Sequence, residues 1–174
     1  ILAMLKPYMV DLGYSVKDIG FMSGIVGTST AALMSFGGGF IIRKIGRTIA
    51  LYSFALINVL TGLYFYVMTM SVPSVTALYI GIILLWASYG LSSVIIYTTS
   101  MDAVREHSAG TDFTVQIVIT HLSSMLIAVF SGKLGDLIGY HQLFGVEALM
   151  SALSILILFF AYPIRFNTWK SPRN

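Results

Sequence analysis

Residues 19–70 read IGFMSGIVGTSTAALMSFGGGFIIRKIGRTIALYSFALINVLTGLYFYVMTM. The only charged side chains in this stretch are Arg43, Lys44 and Arg47, gathered in one short segment between two apolar runs. A hydrocarbon core of about 30 Å is crossed by about 20 mostly apolar residues in a helix. The run from about Ile19 to Ile42 and the run from about Thr48 to Met70 are each long enough. Neither alternates every second residue, as a barrel strand would. A helix also satisfies its own backbone hydrogen bonds in lipid. The fold class read here is therefore an all-α membrane protein.

Three further runs extend the pattern outward: about Val75 to Ser100, about Phe113 to Ser131 broken only by His121, and about Leu143 to Ile164 broken only by Glu147. Ile1 to Leu5 is a short apolar scrap ending at Lys6-Pro7, which reads as the tail of another helix. The expectation is one bundle over residues 1–164, with about five complete transmembrane helices and the end of a sixth, followed by a basic cytoplasmic tail at 165–174. Local signals punctuate it. Ser15-Val16-Lys17-Asp18 is a capping-box pattern before span one. Ser71 to Ser74 is a tight turn, Asp102 to Asp112 a charged loop, and Gly132 to His141 the connection between spans four and five.

Composition excludes several classes. Hydrophobic residues make up 57% and charged residues only 10%, against about 25% charged in an average globular domain. So few charges cannot cover a soluble surface of this size. With no cysteine, disulfides and thiolate metal sites are ruled out, and the three histidines are scattered. No metal, cofactor or phosphate-binding loop is expected. The net charge of +3 sits at the ends of apolar spans, which suits membrane orientation better than nucleic-acid binding. Alternating spans put Arg43, Lys44, Arg47, Arg105, Arg165, Lys170 and Arg173 on one side and Lys6, Lys17 and Lys133 on the other. The first side is expected to be cytoplasmic. Tyr64, Phe65 and Tyr66 would then form an outer aromatic belt.

Two junctions share one spacing. Gly39-Phe-Ile-Ile-Arg43-Lys44-Ile-Gly46-Arg47 is repeated 93 residues later as Gly132-Lys-Leu-Gly-Asp136-Leu-Ile-Gly139-Tyr140. In each, the first glycine would let helices approach and the second would permit a tight turn. Three spans separate the copies, so they face opposite sides, as in an inverted-topology repeat. Glycine and charge are also common at membrane turns.

The pattern resembles the loop motif of the major facilitator superfamily: glycine, three residues, aspartate, arginine, one residue, glycine, then basic residues. Gly39, Lys44, Gly46 and Arg47 match the first copy, with Arg43 where aspartate is usual; Gly132, Asp136 and Gly139 match the second, without its basic partners. The segment order resembles the C-terminal six-helix half of such a transporter, which implies an absent N-terminal half. Gly110-Thr-Asp112-Phe-Thr-Val-Gln116 is similar to the muropeptide-permease-like branch, which includes siderophore importers. The resemblance implies a secondary transporter of a small organic solute, proton-coupled, multi-pass in a bacterial inner membrane.

Candidate site residues follow. Trp86, Tyr89, Ser93, Tyr97 and Ser100 step by three, four, four and three along one face of span three. Tyrosine hydroxyls at mid-depth gain nothing from lipid, so this face would meet protein or water. The resemblance makes it a substrate wall; ordinary helix packing is the alternative. In span four, Asp112, Gln116, Thr120 and Ser123 form one polar stripe, and Thr114, His121 and Ser124 lie near another. His121 is the candidate for proton coupling or substrate contact, against a neutral imidazole bonded to a neighbouring serine. Glu147 reads as neutral or snorkelling, Asn58 as interhelical glue, and Gly20, Ser23, Gly24, Gly27 and Ala31 as a small-residue packing stripe. A non-transporting scaffold subunit and, less well supported, an intramembrane enzyme are the rival functions; no nucleophile–base pair is visible.

Overall fold

The computed structural model describes residues 1–161. The element order is α1 (Leu2–Asp11), α2 (Val16–Ile19), a π-helical segment (Gly20–Gly27), α3 (Thr28–Ile45), α4 (Arg47–Met68), α5 (Val75–Asp102), a short 3-10 turn (Glu106–Ser108) and α6 (Ala109–Ala161). No strand occurs among the described residues. From Val16 to Ile45 the chain is continuously helical, so α2, the π segment and α3 form span one. α4 and α5 are spans two and three. α6 is broken at Gly139, which has φ 80° and ψ 163°, and its two arms are spans four and five.

The 22 residues of α4 extend about 33 Å at 1.5 Å per residue, enough for the hydrocarbon core. The side chains agree with lipid as the surrounding solvent. Phe36 is 74% exposed and Ile127 is 65% exposed, both in mid-span. Water would penalise such a surface strongly, and lipid does not.

The helix ends arise from local chemistry. Ser15 Oγ accepts from the Asp18 N–H at 3.2 Å, and Ser74 Oγ accepts from the Ala77 N–H at 3.2 Å. Between spans one and two the connection is Gly46 alone, at φ 86° and ψ 159°. Between spans four and five it is Gly139 alone, in nearly the same conformation. The sequence reading placed a longer connection at 132–141. Helix continues instead on both sides of Gly139, because a residue without Cβ turns the chain in one step.

Spans one and three run parallel, with Gly27 against Trp86, Ala31 against Gly90 and Gly38 against Leu91. Spans two and five run antiparallel, with Gly62 against Ala148, Gly145 against Tyr66, and the Tyr52 hydroxyl donating to Leu158 O at 3.1 Å. Span two also packs on span three through Phe65 and Gly81. One core gathers Leu5, Tyr8, Met22, Phe65, Leu78 and Phe144 near one end, and a second gathers Ile42, Phe54, Leu91 and Ile95 near the other.

The expected aromatic belt is corrected by this packing. Phe65 is fully buried. Tyr64 donates to Ala77 O at 2.8 Å, and Tyr66 stacks on His141 at 4.4 Å. These rings turn inward because Gly81 and Gly145 leave room for them; a Cβ at either glycine would lie 3.2 Å and 3.0 Å from the rings. The small-residue stripe of span one is also narrower than expected. Ser23 is buried and Gly27 and Ala31 lie in close contact, whereas a Cβ at Gly20 or Gly24 would meet open space.

Candidate functional site

Span three carries the candidate wall, and α5 presents it by helical periodicity. Trp86 is half-buried with its indole over Gly27. Its ring meets Tyr89 edge-on at 5.8 Å and 79°. Tyr89 is 46% exposed and Tyr97 is 40% exposed. Neither hydroxyl bonds to another residue among the described ones. Ser93 donates to Tyr89 O at 2.8 Å, so its hydroxyl is satisfied by its own helix. The opposite flank of the same helix is satisfied internally: Asn58 Nδ2 donates to Ser92 Oγ at 2.6 Å, and Ser88 Oγ donates to Asn58 Oδ1 at 3.3 Å. Asn58 is thus interhelical glue between spans two and three. Span three has one polar flank bonded to neighbours and one left open.

Span four meets this wall at one end. Phe113 lies 6.4 Å from the Tyr97 ring, and Gln116, half-buried, follows one turn later. Beyond it the arm departs from the bundle: every residue from Val118 to Ile127 is exposed. Thr114, Thr120 and Ser124 each donate to the carbonyl four residues back. His121 is exposed and makes no hydrogen bond or ring contact with another described residue. The structure therefore places Trp86, Tyr89, Ser93 and Tyr97 along one face of span three, with Phe113 of span four beside Tyr97. It does not bring His121 there. The serine-bonded histidine considered from sequence is absent among the described residues.

The two motif copies differ in detail. Lys44 is exposed, and Arg47 forms an ion pair with Asp102 at the end of span three. That pair joins the first copy to the charged loop at one end of the bundle. Asp136, Gly132 and Gly139 line a cavity of about 320 Å³ together with Asp11 and Tyr140, and the Tyr140 hydroxyl donates to Asp11 at 2.6 Å. The expected helix approach at the first glycine of each copy is not found: a Cβ at Gly39 meets nothing within 4 Å, and one at Gly132 meets only Met4 at 3.7 Å. Gly38, one position earlier, takes the contact with Leu91 because it is the residue on the buried face.

The charged loop is more ordered than its composition suggested. Arg105 grips Asp112 through Nε and a second guanidinium nitrogen, each at 2.8 Å, while its backbone N–H donates to the same carboxylate at 3.1 Å. The side-chain bond from Arg105, then the backbone bond, hold the Asp112 carboxyl well below the usual range. Residues that sequence reasoning missed include His141, whose Nδ1 lies 3.2 Å from Thr69 Oγ1. Its position just before an apolar run was the available signal. Glu147 is half-buried beside the start of α1. No cluster of metal-ligating side chains occurs among the described residues.

Comparison with known proteins adds the family. The family model described as Major Facilitator Superfamily matches residues 1–173. Two curated proteins, each named "Putative transporter AmpG 4", from Rickettsia felis and Rickettsia conorii, are each 22% identical over 160 residues. The alignments cover 91% of this chain and 38% of each relative, so the chain spans well under half their length. No solved structure matches the chain significantly.

Proposed function

Because the chain belongs to the Major Facilitator Superfamily, we propose that it forms one wall of a secondary transporter that carries a small organic solute by alternating access. As a multi-pass membrane transporter chain it needs a further set of helices opposite its open face, and an opposing N-terminal half is the proposed partner. The observation that carries the reading is the open flank of span three. A phenol hydroxyl moved into apolar surroundings without a partner costs about 1–3 kcal/mol. Tyr89 and Tyr97 together place two such hydroxyls, exposed and unbonded, on a helix whose other flank bonds to Asn58 through Ser88 and Ser92. A water-filled path beside them removes that penalty; lipid does not.

Trp86, Tyr89, Ser93, Tyr97 and Gln116 are the proposed solute contacts. An aromatic, hydroxyl-lined face suits a solute with rings and several oxygens, and a siderophore- or muropeptide-like molecule is the proposed class. The name carried by the rickettsial relatives supports a transporter. Proton coupling is proposed, with His121 the first residue to test. The proposed setting is a bacterial inner membrane, with residues 1–164 as the bundle, the Arg47–Asp102 end cytoplasmic, and residues 165–174, outside the described residues, as a cytoplasmic tail. Gly39, Lys44, Gly46 and Arg47, with Gly132, Asp136 and Gly139, are the proposed loop-motif positions at opposite ends.

The test is uptake of labelled muropeptide and ferric-siderophore probes by cells expressing the gene product that carries this sequence, with Tyr89→Phe, Tyr97→Phe and His121→Ala variants. The expected result is loss of uptake in the tyrosine variants at unchanged membrane abundance, and a flattened pH dependence in His121→Ala. Full uptake in both tyrosine variants removes the substrate wall. An unaltered pH profile in His121→Ala removes the proton assignment. Lipid-restricted labelling of positions 89 and 97, with no labelling by water-soluble reagents, favours the scaffold reading instead.

A further inference from the structure

Span one is not α-helical throughout. Residues Gly20–Gly27 form a π-helix of eight residues. Such geometry is rare and mostly limited to single-turn bulges, frequently at functional sites. Its last residue, Gly27, is buried beneath the Trp86 indole, and a Cβ there would overlap the ring at Nε1, Cδ1 and Cε2. The seat exists only because position 27 carries no side chain.

Trp86 is also poorly satisfied in that seat. Its Nε1–H is buried and has no hydrogen-bond partner among the described residues. An indole N–H normally finds an acceptor when buried, and one left without it penalises the conformation that buries it. The edge of the same ring meets Tyr89, which stands exposed on the open flank. The ring thus lies between a tight seat that denies its donor a partner and a polar face that offers one.

We propose that Trp86 is a two-position latch, seated over Gly27 in the structure described and released toward Tyr89 when water or a solute oxygen accepts its N–H. Return of Gly20–Gly27 from π to α geometry turns Gly27 away and closes the seat behind the released ring. The solute that stabilises the released position carries a carbonyl, carboxylate or hydroxyl oxygen next to a ring or chain that packs on Tyr89. The role of the latch in transport rests on the function proposed above; the two positions themselves need no solute.

The experiment labels the gene product that carries this sequence with 5-fluorotryptophan, places it in nanodiscs and assigns the Trp86 fluorine resonance by its loss in Trp86→Phe. The expected spectrum has two Trp86 resonances, or one broadened by exchange on the μs–ms scale of helix register shifts. Gly27→Ala, which fills the seat, is expected to leave one resonance, broadened several-fold more by a water-soluble paramagnet than the seated resonance. Gly24→Ala is the control, since a Cβ there meets nothing within 4 Å; it is expected to preserve both positions. If Gly27→Ala fails to fold, the paramagnet titration of the parent protein decides. A single sharp Trp86 resonance, shielded from the paramagnet, overturns the latch, as do two resonances that a folded Gly27→Ala leaves unchanged. Full uptake in Tyr89→Phe and Tyr97→Phe would count against the transport reading alone, so the two failures are distinguishable.

Discussion

Replacing Gly90 with alanine should separate spans one and three. The structure sets the size of the effect. A Cβ at Gly90 would lie 2.5 Å from the Ala31 carbonyl oxygen and 3.1 Å from Ala31 Cα. Restoring ordinary contact, which begins near 3.4 Å, requires the helices to part by about 0.9 Å. Because the obstacle is backbone, no side-chain rotation relieves it. Overpacking of this kind costs about 1–3 kcal/mol. Separation also stretches the 3.1 Å bond from Ser35 Oγ to Gly90 O, worth about 0.6 kcal/mol for an interhelical bond in a membrane. Thermal unfolding in detergent, followed by intrinsic fluorescence, should therefore show Gly90→Ala melting several degrees lower, on the order of 2–4 °C per kcal/mol. Gly39→Ala is the matched control, since its added methyl meets nothing. Ala31→Gly should fail to rescue Gly90→Ala, because the contact is to main chain. Equal melting of the Gly90 and Gly39 variants, or full rescue by Ala31→Gly, would refute the close crossing.

Three further outcomes are expected. Gly46→Ala and Gly139→Ala should each destabilise by about 1–3 kcal/mol, since both positions hold φ near +80° with extended ψ, a region essentially reserved for glycine; denaturant titration of the purified variants checks this. Asn58→Leu should cost about 0.6–1.7 kcal/mol by removing the bonds that tie span two to Ser88 and Ser92, read by the same titration. The Arg105–Asp112 clasp should outlast acidification. A carboxyl whose folded pKa is lowered contributes stability above its unfolded pKa and loses it only as pH falls through the folded one. Since Asp112 is held well below the usual range, limited proteolysis of the 103–108 connection should be as slow at pH 3 as at pH 7, and Asp112→Asn should accelerate it at both.

Much of this arrangement was open to reading along the chain. Uncharged runs of sufficient length announce crossings because lipid offers the backbone no hydrogen bonds. The family followed from glycines seven apart on either side of a charge, and the match over residues 1–173 bears it out. The shared face of span three was legible as well, since helical periodicity alone puts Trp86, Tyr89, Ser93 and Tyr97 on one side. The aromatic triplet at 64–66 misled, because an apolar ring beside a membrane boundary reads the same whether it faces headgroups or a glycine on a neighbouring helix. His121 was legible as a polar group in an apolar run, but its surroundings were not: the arm that carries it leaves the bundle after Gln116.

What the order of residues determined by itself was the solvent, the number of crossings and the places where the chain turns, for these depend on nearest neighbours and on lipid. Tertiary structure decided which small residue meets which ring: Gly27 rather than Gly24 under Trp86, Gly38 rather than Gly39 against Leu91, Gly145 beneath Tyr66. Such choices turn on helix rotation and crossing distance to within an ångström. A π-helical segment shifts that rotation without leaving any signature that residue spacing alone can carry.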